Sequence, residues 1–550
     1  MTARKMWASP LGRPRAVELR PMRKSDAMHP AHHVNAKRLL FFASYVTLFW
    51  SVLGVIAAAT AVTAAEEAPV YDVVIRGGRV IDAESGLDAV RNVGLIGGRI
   101  AEVSEQPLEG QAILPAEGLV VSAGFIDLHT HSPTPLGQHY QALDGVTTAL
   151  ELEVGAYPVA EFAPTVRGAA LIHYGSSVAW ASTRLEVKSG IRRPDLLSGK
   201  SEPLGLKGYW TAFRSLFVTP NEVFVEKASP REREKMRVLL NQGLDAGGLG
   251  IGVPLDYFSE GTDSDELRMV FSVASEREVP LFIHVRRGIN GDPAGLREAL
   301  ELAKETGASV HICHIQHSAM KNVALFLAEI RVARAEGVDV TTETLPYNAG
   351  SALISSAVFG RDFRTIFAID YGDVEWADTG ERFDEATFLE YREKFPGGQV
   401  IHHYVQDEWT RTAIVEPGVI IVSDLLPMVT RESKVAPHNG SFSRVLGHYA
   451  RDQKLLDLGT TLAKMTLLPA LRLETAFPVF ASKGRLRVGA DADITVFNPT
   501  TLIDQATYQN PYQGSVGIEY VLVAGEVIVR SGEVVPDVYP GQLLSVPPAH

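Results

Sequence analysis

Two histidines two residues apart, His129 and His131, close an apolar run that reads GFIDLHTH. On a strand, residues i and i+2 point to one face, so both imidazoles are offered to the same place. Imidazole pairs bind Zn²⁺ well, at about 2.0–2.1 Å. A His-x-His pair alone is equally an ordinary polar strand end; its company gives it meaning. Glu151 and Glu153 repeat the spacing in TTALELEVG, His284 lies in PLFIHVR, His314 in SVHICHI, Tyr347 ends DVTTETLPY, and Asp424 lies in GVIIVSDLL. Four histidines and three carboxylates make a donor set for one or two divalent cations, zinc first among them. They also include a carboxylate able to carry protons. Cys313 is the only cysteine. An intramolecular disulfide and a Cys-rich zinc site are therefore excluded.

The elements that must position these residues alternate strand and helix. Candidate strands cover 125–131, 147–155, 169–177, 249–257, 280–286, 309–315, 339–347 and 418–426, with helical patterns at 231–246, 265–277, 294–307 and 319–337. Eight apolar strands alternating with helices predict a (β/α)₈ TIM-like barrel, and such barrels keep their chemistry at the carboxyl ends of the strands. The candidate residues sit at those ends. Residues 348–417 are too long for one connection and predict the last crossover helix plus a lid or insertion over the site. Segments 71–82 and 91–105 read as strand pairs turning at Gly-Gly, and 492–499 and 518–535 repeat that style. The expected organisation is a small β-sandwich domain assembled from both flanks, 71–122 and 480–545, around a barrel over 123–479. By strand alternation Cys313 falls on the face opposite His314, a core position, as does His311.

The 550 residues carry 52 basic and 65 acidic side chains, a net charge of −13. That balance argues against a general nucleic-acid binder. Residues 1–38 hold nine Lys or Arg and two acids, and 39–65 hold no charge at all. This is the pattern of a basic flank followed by a signal peptide or membrane anchor. It predicts an exported protein, either periplasmic or attached to the cytoplasmic membrane through 39–65 and facing outward.

GFIDLHTH, FIHVR, ICHIQ, IVSDLL and the closing KGRLRVGADADITVFNP resemble the metal-dependent amidohydrolase superfamily. ALDGVTTALELEVG, GLGIGVPLDYFSEGTDSDEL, TLPYNAGS, GSFSRVLGHYARD and KMTLLPALRL are similar to the D-aminoacylase, or N-acyl-D-amino-acid deacylase, branch. The likeness runs from about 71 to 545. It implies that His129, His131, His284 and His314 hold metal and that Asp424 is the general base, taking a proton from water and returning it to the leaving nitrogen. It further implies that Tyr347 holds the substrate, a small acylated amino acid.

This sequence differs from that branch where the family carries a metal-ligating cysteine. Counting without gaps from GVTT puts that position on Val154, which cannot ligate. Glu151 and Glu153 share one strand face and are the available replacements; Glu153, nearer the barrel mouth, is favoured, with Glu151 the alternative ligand. Gln316 stands where the family has a lysine, and VAPHNGSF replaces an H-P-R stretch. Arg286 and Arg287 are then the candidates for a bidentate carboxylate clamp, with surface solvation the competing reading for at least one of them. A cyclic-amide hydrolase of the hydantoinase or dihydroorotase kind is the second enzyme reading, and a barrel relative without catalysis is the third.

Overall fold

The computed structural model describes residues 70–545, apart from 163–165, 167, 191–222, 224, 429 and 432–436. The leader expected at 1–65 lies outside the described residues. Among those described, no helix is long and apolar enough to cross a membrane.

The N-terminal flank forms β1 (Tyr71–Asp82), β2 (Leu87–Ile96), β3 (Arg99–Ser104), β4 (Gly110–Pro115) and β5 (Val120–Ala123). Gly97-Gly98 makes the expected turn between β2 and β3, but Gly77-Gly78 does not reverse the backbone. It is a bulge inside the continuous strand β1. A Cβ on Gly78 would lie 2.4 Å from the Val121 side chain, and Gly77 has φ +71°. The pair therefore lets β1 bend and change partners, from β4 over Tyr71–Arg76 to β5 over Arg79–Ile81.

The barrel strands are β6 (Phe125–Asp127), β7 (Val146–Ala156), β8 (His173–Ala179), β9 (Ile251–Pro254), β10 (Leu281–His284), β11 (Val310–Ile312) and β12 (Val340–Thr344). An insertion then contributes β13 (Gly350–Leu353), β14 (Val374–Trp376) and β15 (Gln399–His402), and β16 (Val419–Ile421) completes the barrel. The eight barrel strands pair in parallel from β6 round to β16. The ring closes just beyond their ends, where His131 N donates to Leu425 O at 2.7 Å and Asp424 N to His129 O at 2.8 Å. Strand β8 begins at His173, later than the alternation suggests, and Ala170 before it and Tyr174 within it bond to the C-terminal segment at Gly541, Gln542 and Leu544.

Amphipathic helices pack outside. Pro230–Asp245 starts from a capping box in which Ser229 and Glu232 exchange side-chain and backbone bonds, and Ser264–Glu276 is capped by Asp263; such caps are each worth about 1 kcal/mol. Leu240, Leu244, Val270, Phe271, Leu296 and Phe326 from this layer join Leu150, Leu152, Val253 and Ile283 of the strands in one buried core. The insertion forms a separate three-stranded antiparallel sheet with its own aromatic core, including Phe363, Trp376 and Phe388. Helix Asp407–Val415 then leads back to β16.

The C-terminal flank adds β17 (Ile494–Phe497), β18 (Ile518–Val523), β19 (Glu526–Arg530) and β20 (Glu533–Val534). Strand β17 pairs with β5, so both flanks build one nine-stranded sheet around a core that includes Ile75, Val93, Leu114, Val121, Ile494 and Leu522.

Candidate metal centre

The site lies where the first and last barrel strands meet. Asp127 joins them: its carboxylate accepts from Ser423 Oγ at 2.5 Å, Ser423 N at 3.1 Å and His129 N at 3.2 Å. Burial pushes the Asp127 carboxyl up to about 6 against those bonds. Asp424, which follows Ser423, has φ +50°, and His314 has φ +26°. Neither is a glycine, and backbone held in such sparsely populated regions clusters at functional sites.

His129 Nε2 lies 3.2 Å from His131 Nε2, 3.2 Å from Glu153 Oε2 and 3.4 Å from Asp424 Oδ1. His131 Nε2 is 3.3 Å from each of those two oxygens. Each oxygen thus makes a nearly equilateral triangle with the two nitrogens, a spacing at which an ion could lie about 2.0 Å from all three atoms, the distance zinc takes to imidazole nitrogen and carboxylate oxygen. The other Glu153 oxygen turns away from that group. Oε1 is 3.0 Å from His284 Nδ1 and 3.1 Å from His314 Nε2. One carboxylate thus faces two histidine pairs. Glu153, His129, His284 and His314 are buried, while the His131 and Asp424 side chains, 12% and 18% exposed, are the ones that open toward the barrel mouth.

The far nitrogens of the first pair are also held. Glu151 is not among these atoms; its carboxylate meets His131 Nδ1 from behind at 2.9 Å and accepts from Val154 N. His129 Nδ1 lies 2.5 Å from Glu343 Oε1, which also accepts from His314 N, while Glu343 Oε2 meets His311 Nε2 at 2.8 Å. Imidazoles that give one nitrogen to a metal are oriented in this way through the other. Burial alone would lower the His129 pKa, but Glu343, Asp424 and Glu153 outweigh it and hold the ring well above the usual histidine value. His131 is raised too, by Glu151, Asp424 and Glu153 against its burial. Glu343 is buried as well, yet His129 and His311 bring it down to about 2. Burial and the neighbouring His314 take His284 to about 4. Negative charge that would otherwise gather protons around nitrogen ligands is an environment suited to a divalent cation, which takes the protons' place. The donor set fits zinc.

Glu343 and His311 are functional neighbours that the residue pattern does not single out; the only signal is a glutamate inside an apolar barrel strand. Cys313 is the core residue expected, but not on a side of the strand away from the cluster. The kink at His314 breaks the two-residue alternation, so the buried Cys313 sits against His129 and Glu343, within metal-ligand reach of both.

Among the substrate candidates, Tyr347 is buried near the cluster, with its hydroxyl 3.2 Å from Asp504 and its ring stacked on His438. His438 Nδ1 in turn donates to the Asp424 carbonyl at 2.7 Å. Arg286 does not serve as the clamp. Its guanidinium is taken up by Glu298 at 2.7 Å and by the carbonyls of Ser259 and Thr262. Arg287 is the one that points inward, with Nη2 3.2 Å from His284 Nε2. Gln316 is engaged on both sides, by the Leu345 carbonyl and the Thr344 hydroxyl. His402 and His403 belong to the insertion: His402 stacks on Tyr404 and is pushed down to about 3 by burial and the Arg287 charge, while His403 pairs with Glu375. His173 pairs with Asp493, away from the cluster.

No protein-family model matches the sequence. It is 30% identical over 495 residues to the N-acyl-D-glutamate deacylase of Alcaligenes xylosoxydans xylosoxydans, covering 86% of this protein and 96% of that one. The chain belongs to the D-aminoacylase family of amidohydrolases. As a member of that family it is a hydrolase of carbon–nitrogen bonds other than peptide bonds. Its fold matches the crystal structure of N-acyl-D-glutamate deacylase from Bordetella bronchiseptica, complexed with zinc and a phosphonate inhibitor, at a TM-score of 0.70 and 23% identity, covering 87% of this protein and all of that one. A D-aminoacylase structure with a binuclear metal centre superposes with a TM-score of 0.69 at 22% identity, over 86% of this protein and all of the other. Within the family fold, Glu153 stands here where the two histidine pairs meet.

Proposed function

We propose that the protein hydrolyses the amide bond of N-acyl-D-amino acids, releasing a carboxylate and a free D-amino acid, and that it does so outside the cytoplasm. The observation that carries the reading is Glu153, whose two oxygens face separate histidine pairs beside Asp424. The 30% identical N-acyl-D-glutamate deacylase supports the substrate class. His129, His131, Glu153 and Asp424 would hold zinc on one side, and His284 and His314 with the other Glu153 oxygen on the second. Zinc supplies a Lewis acid and a water acidic enough to ionise near neutral pH.

The protein's own residues do the rest. Asp424 is the partly exposed carboxylate at the strand junction. It accepts the proton of the attacking water and returns it to the nitrogen as the amide bond breaks, so that the amine leaves neutral. Glu151 and Glu343 fix which nitrogen of His131 and His129 carries the proton. The insertion walls the site with Phe367 and Tyr404, and excluded water strengthens every charge interaction inside. Export is supported by the uncharged stretch 39–65 after a basic flank. The domain division that goes with this reading is a leader over 1–65, flanks 71–122 and 480–545, and a barrel over 123–479.

The test is hydrolysis of acetyl and longer acyl derivatives of D- and L-amino acids by zinc-loaded protein, alongside hydantoins and dihydroorotate. Activity on the linear D-compounds is expected. Turnover confined to L-compounds would overturn the reading, and turnover confined to rings would replace it with the cyclic-amide one.

A further inference from the structure

We propose that Arg287 is the receptor for a carboxylate of the substrate, an inference that rests on the deacylase reading above. Arg287 follows β10 by three residues, and its side chain is only 5% exposed. The guanidinium lies 4.9 Å from the centre of the Phe367 ring and 5.8 Å from that of Tyr404. The insertion thus lays two aromatic faces against it, close enough for cation–π attraction.

Its hydrogen bonding is incomplete. Nε is buried with no partner. Nη1 comes no nearer than 3.4 Å to Asp256 Oδ2, and that carboxylate is already gripped by Arg361 through two bonds of 3.0 Å and by the Arg287 backbone N–H. Two guanidinium groups therefore share one carboxylate, and among the described residues no other ion pair reaches Arg287. Nη2 points at His284 Nε2, 3.2 Å away, on the ring whose Nδ1 faces Glu153. With Nδ1 donating to the Glu153 carboxylate, Nε2 is the acceptor for one Nη2 hydrogen, which leaves Nε and the remaining Nη hydrogens to be met. The neighbouring Arg286 shows the contrast, with its donors spent on Glu298 and two carbonyls. A buried cationic fork with unmet donors beside the cluster is complementary to a planar, bidentate anion, and a carboxylate is that group. Arg287 is also dispensable to its neighbour: without it, Asp256 keeps Arg361 and a backbone donor, so no buried carboxylate is orphaned.

The experiment compares wild type with Arg287→Met and Arg287→Lys. Zinc-loaded proteins are assayed on N-acetyl-D-leucine and N-acetyl-D-leucinamide, and on N-acetyl-D-glutamine and N-acetyl-D-isoglutamine, which place the single carboxylate at the α position or on the side chain. Arg287→Met should raise KM for the substrate whose carboxylate it reads on the order of 100-fold, with kcat changed only a few-fold. The leucinamide should be unaffected. Arg287→Lys, which keeps the charge and loses the fork, should fall between. A penalty on glutamine alone assigns the α-carboxylate, and one on isoglutamine alone the side-chain carboxylate. Calorimetric binding of N-acetyl-D-leucine and N-acetyl-D-isoglutamine to zinc-loaded Asp424→Asn protein, with and without Arg287→Met, gives the same comparison without turnover. Equal losses on acid and amide, or unchanged affinity in both assays, would overturn the proposal. Wild type inactive on every N-acyl amino acid would instead remove the deacylase reading on which it rests.

Discussion

Replacing Glu343 by glutamine tests whether the support beneath the cluster sets metal affinity. The substitution keeps the shape and removes one acceptor. In the wild type one oxygen meets His129 Nδ1 at 2.5 Å and the other His311 Nε2 at 2.8 Å. A glutamine has one oxygen and one amide NH₂, so one histidine must face a donor. If that is His129, the ring escapes by moving its proton to Nε2, the nitrogen that faces His131, Glu153 and Asp424. If it is His311, the cost falls on packing and His129 keeps only a neutral acceptor. Either way zinc is bound by a ring less well oriented, and losses of this kind run to about 10–100-fold in affinity, or roughly 1.4–2.7 kcal/mol. The assay is zinc competition against a chromophoric chelator at fixed pH, with circular dichroism to show that the fold survives. A Glu343→Gln protein that keeps its fold and its zinc affinity would refute the reasoning, because nothing would then depend on which nitrogen of His129 is protonated.

Glu153→Ala should lower zinc content more than Glu151→Ala in metal analysis after dialysis, since Glu153 faces both histidine pairs and Glu151 only the back of His131; the reverse order would exchange their roles. Asp424→Asn should cut kcat by about 10²–10⁴-fold in steady-state assays at saturating zinc, with some weakening of metal because Asp424 Oδ1 is 3.3 Å from His131 Nε2; unchanged turnover would remove it from proton transfer. Asp256 has a pH signature. Burial alone would raise its pKa, but Arg287, His284 and Arg361 bring it from 3.8 to about 2. Its stabilisation is therefore fully present above about pH 4 and is lost as pH falls through 2, and this shift corresponds to about 2 kcal/mol. Asp256→Asn should flatten that part of the acid-denaturation profile, and an unaltered profile would show that the pair does not contribute.

Much of the site is legible in the residues because a barrel strand imposes a period of two. That period alone assigns His129 with His131, and Glu151 with Glu153, to the inner face, and the eight strand ends collect the donors into one place. What escapes is set where the period stops. Alternation places Cys313 in the core, as found, but misses that it lies on the cluster side, because His314 leaves the strand with φ +26°. Arg286 and Arg287 are adjacent in a loop past β10, where no periodicity says which one turns inward. The order of Glu151 and Glu153 depends on how far β7 reaches into the mouth. Glu343 carries too weak a signal, since a glutamate inside a strand has no stated partner until His129 and His311 are seen on either side of it. At Gly77-Gly78 the ambiguity is chemical: the same dipeptide permits a turn or a bulge, and the partners waiting on β4 and β5 decide for the bulge.

The pairing of β5 with β17 also sets a timetable. Ser122 and Thr495, bonded across that seam, are 373 residues apart in sequence. At roughly 5–20 residues per second of synthesis, the edge of β5 stays open for about 20–75 s after it is made, while the entire barrel is still being translated. An open strand edge is a template for wrong partners. The flanks of this protein can therefore close only as the last act of its biosynthesis, and any product truncated before Ile494 would be left with a sticky half-sheet.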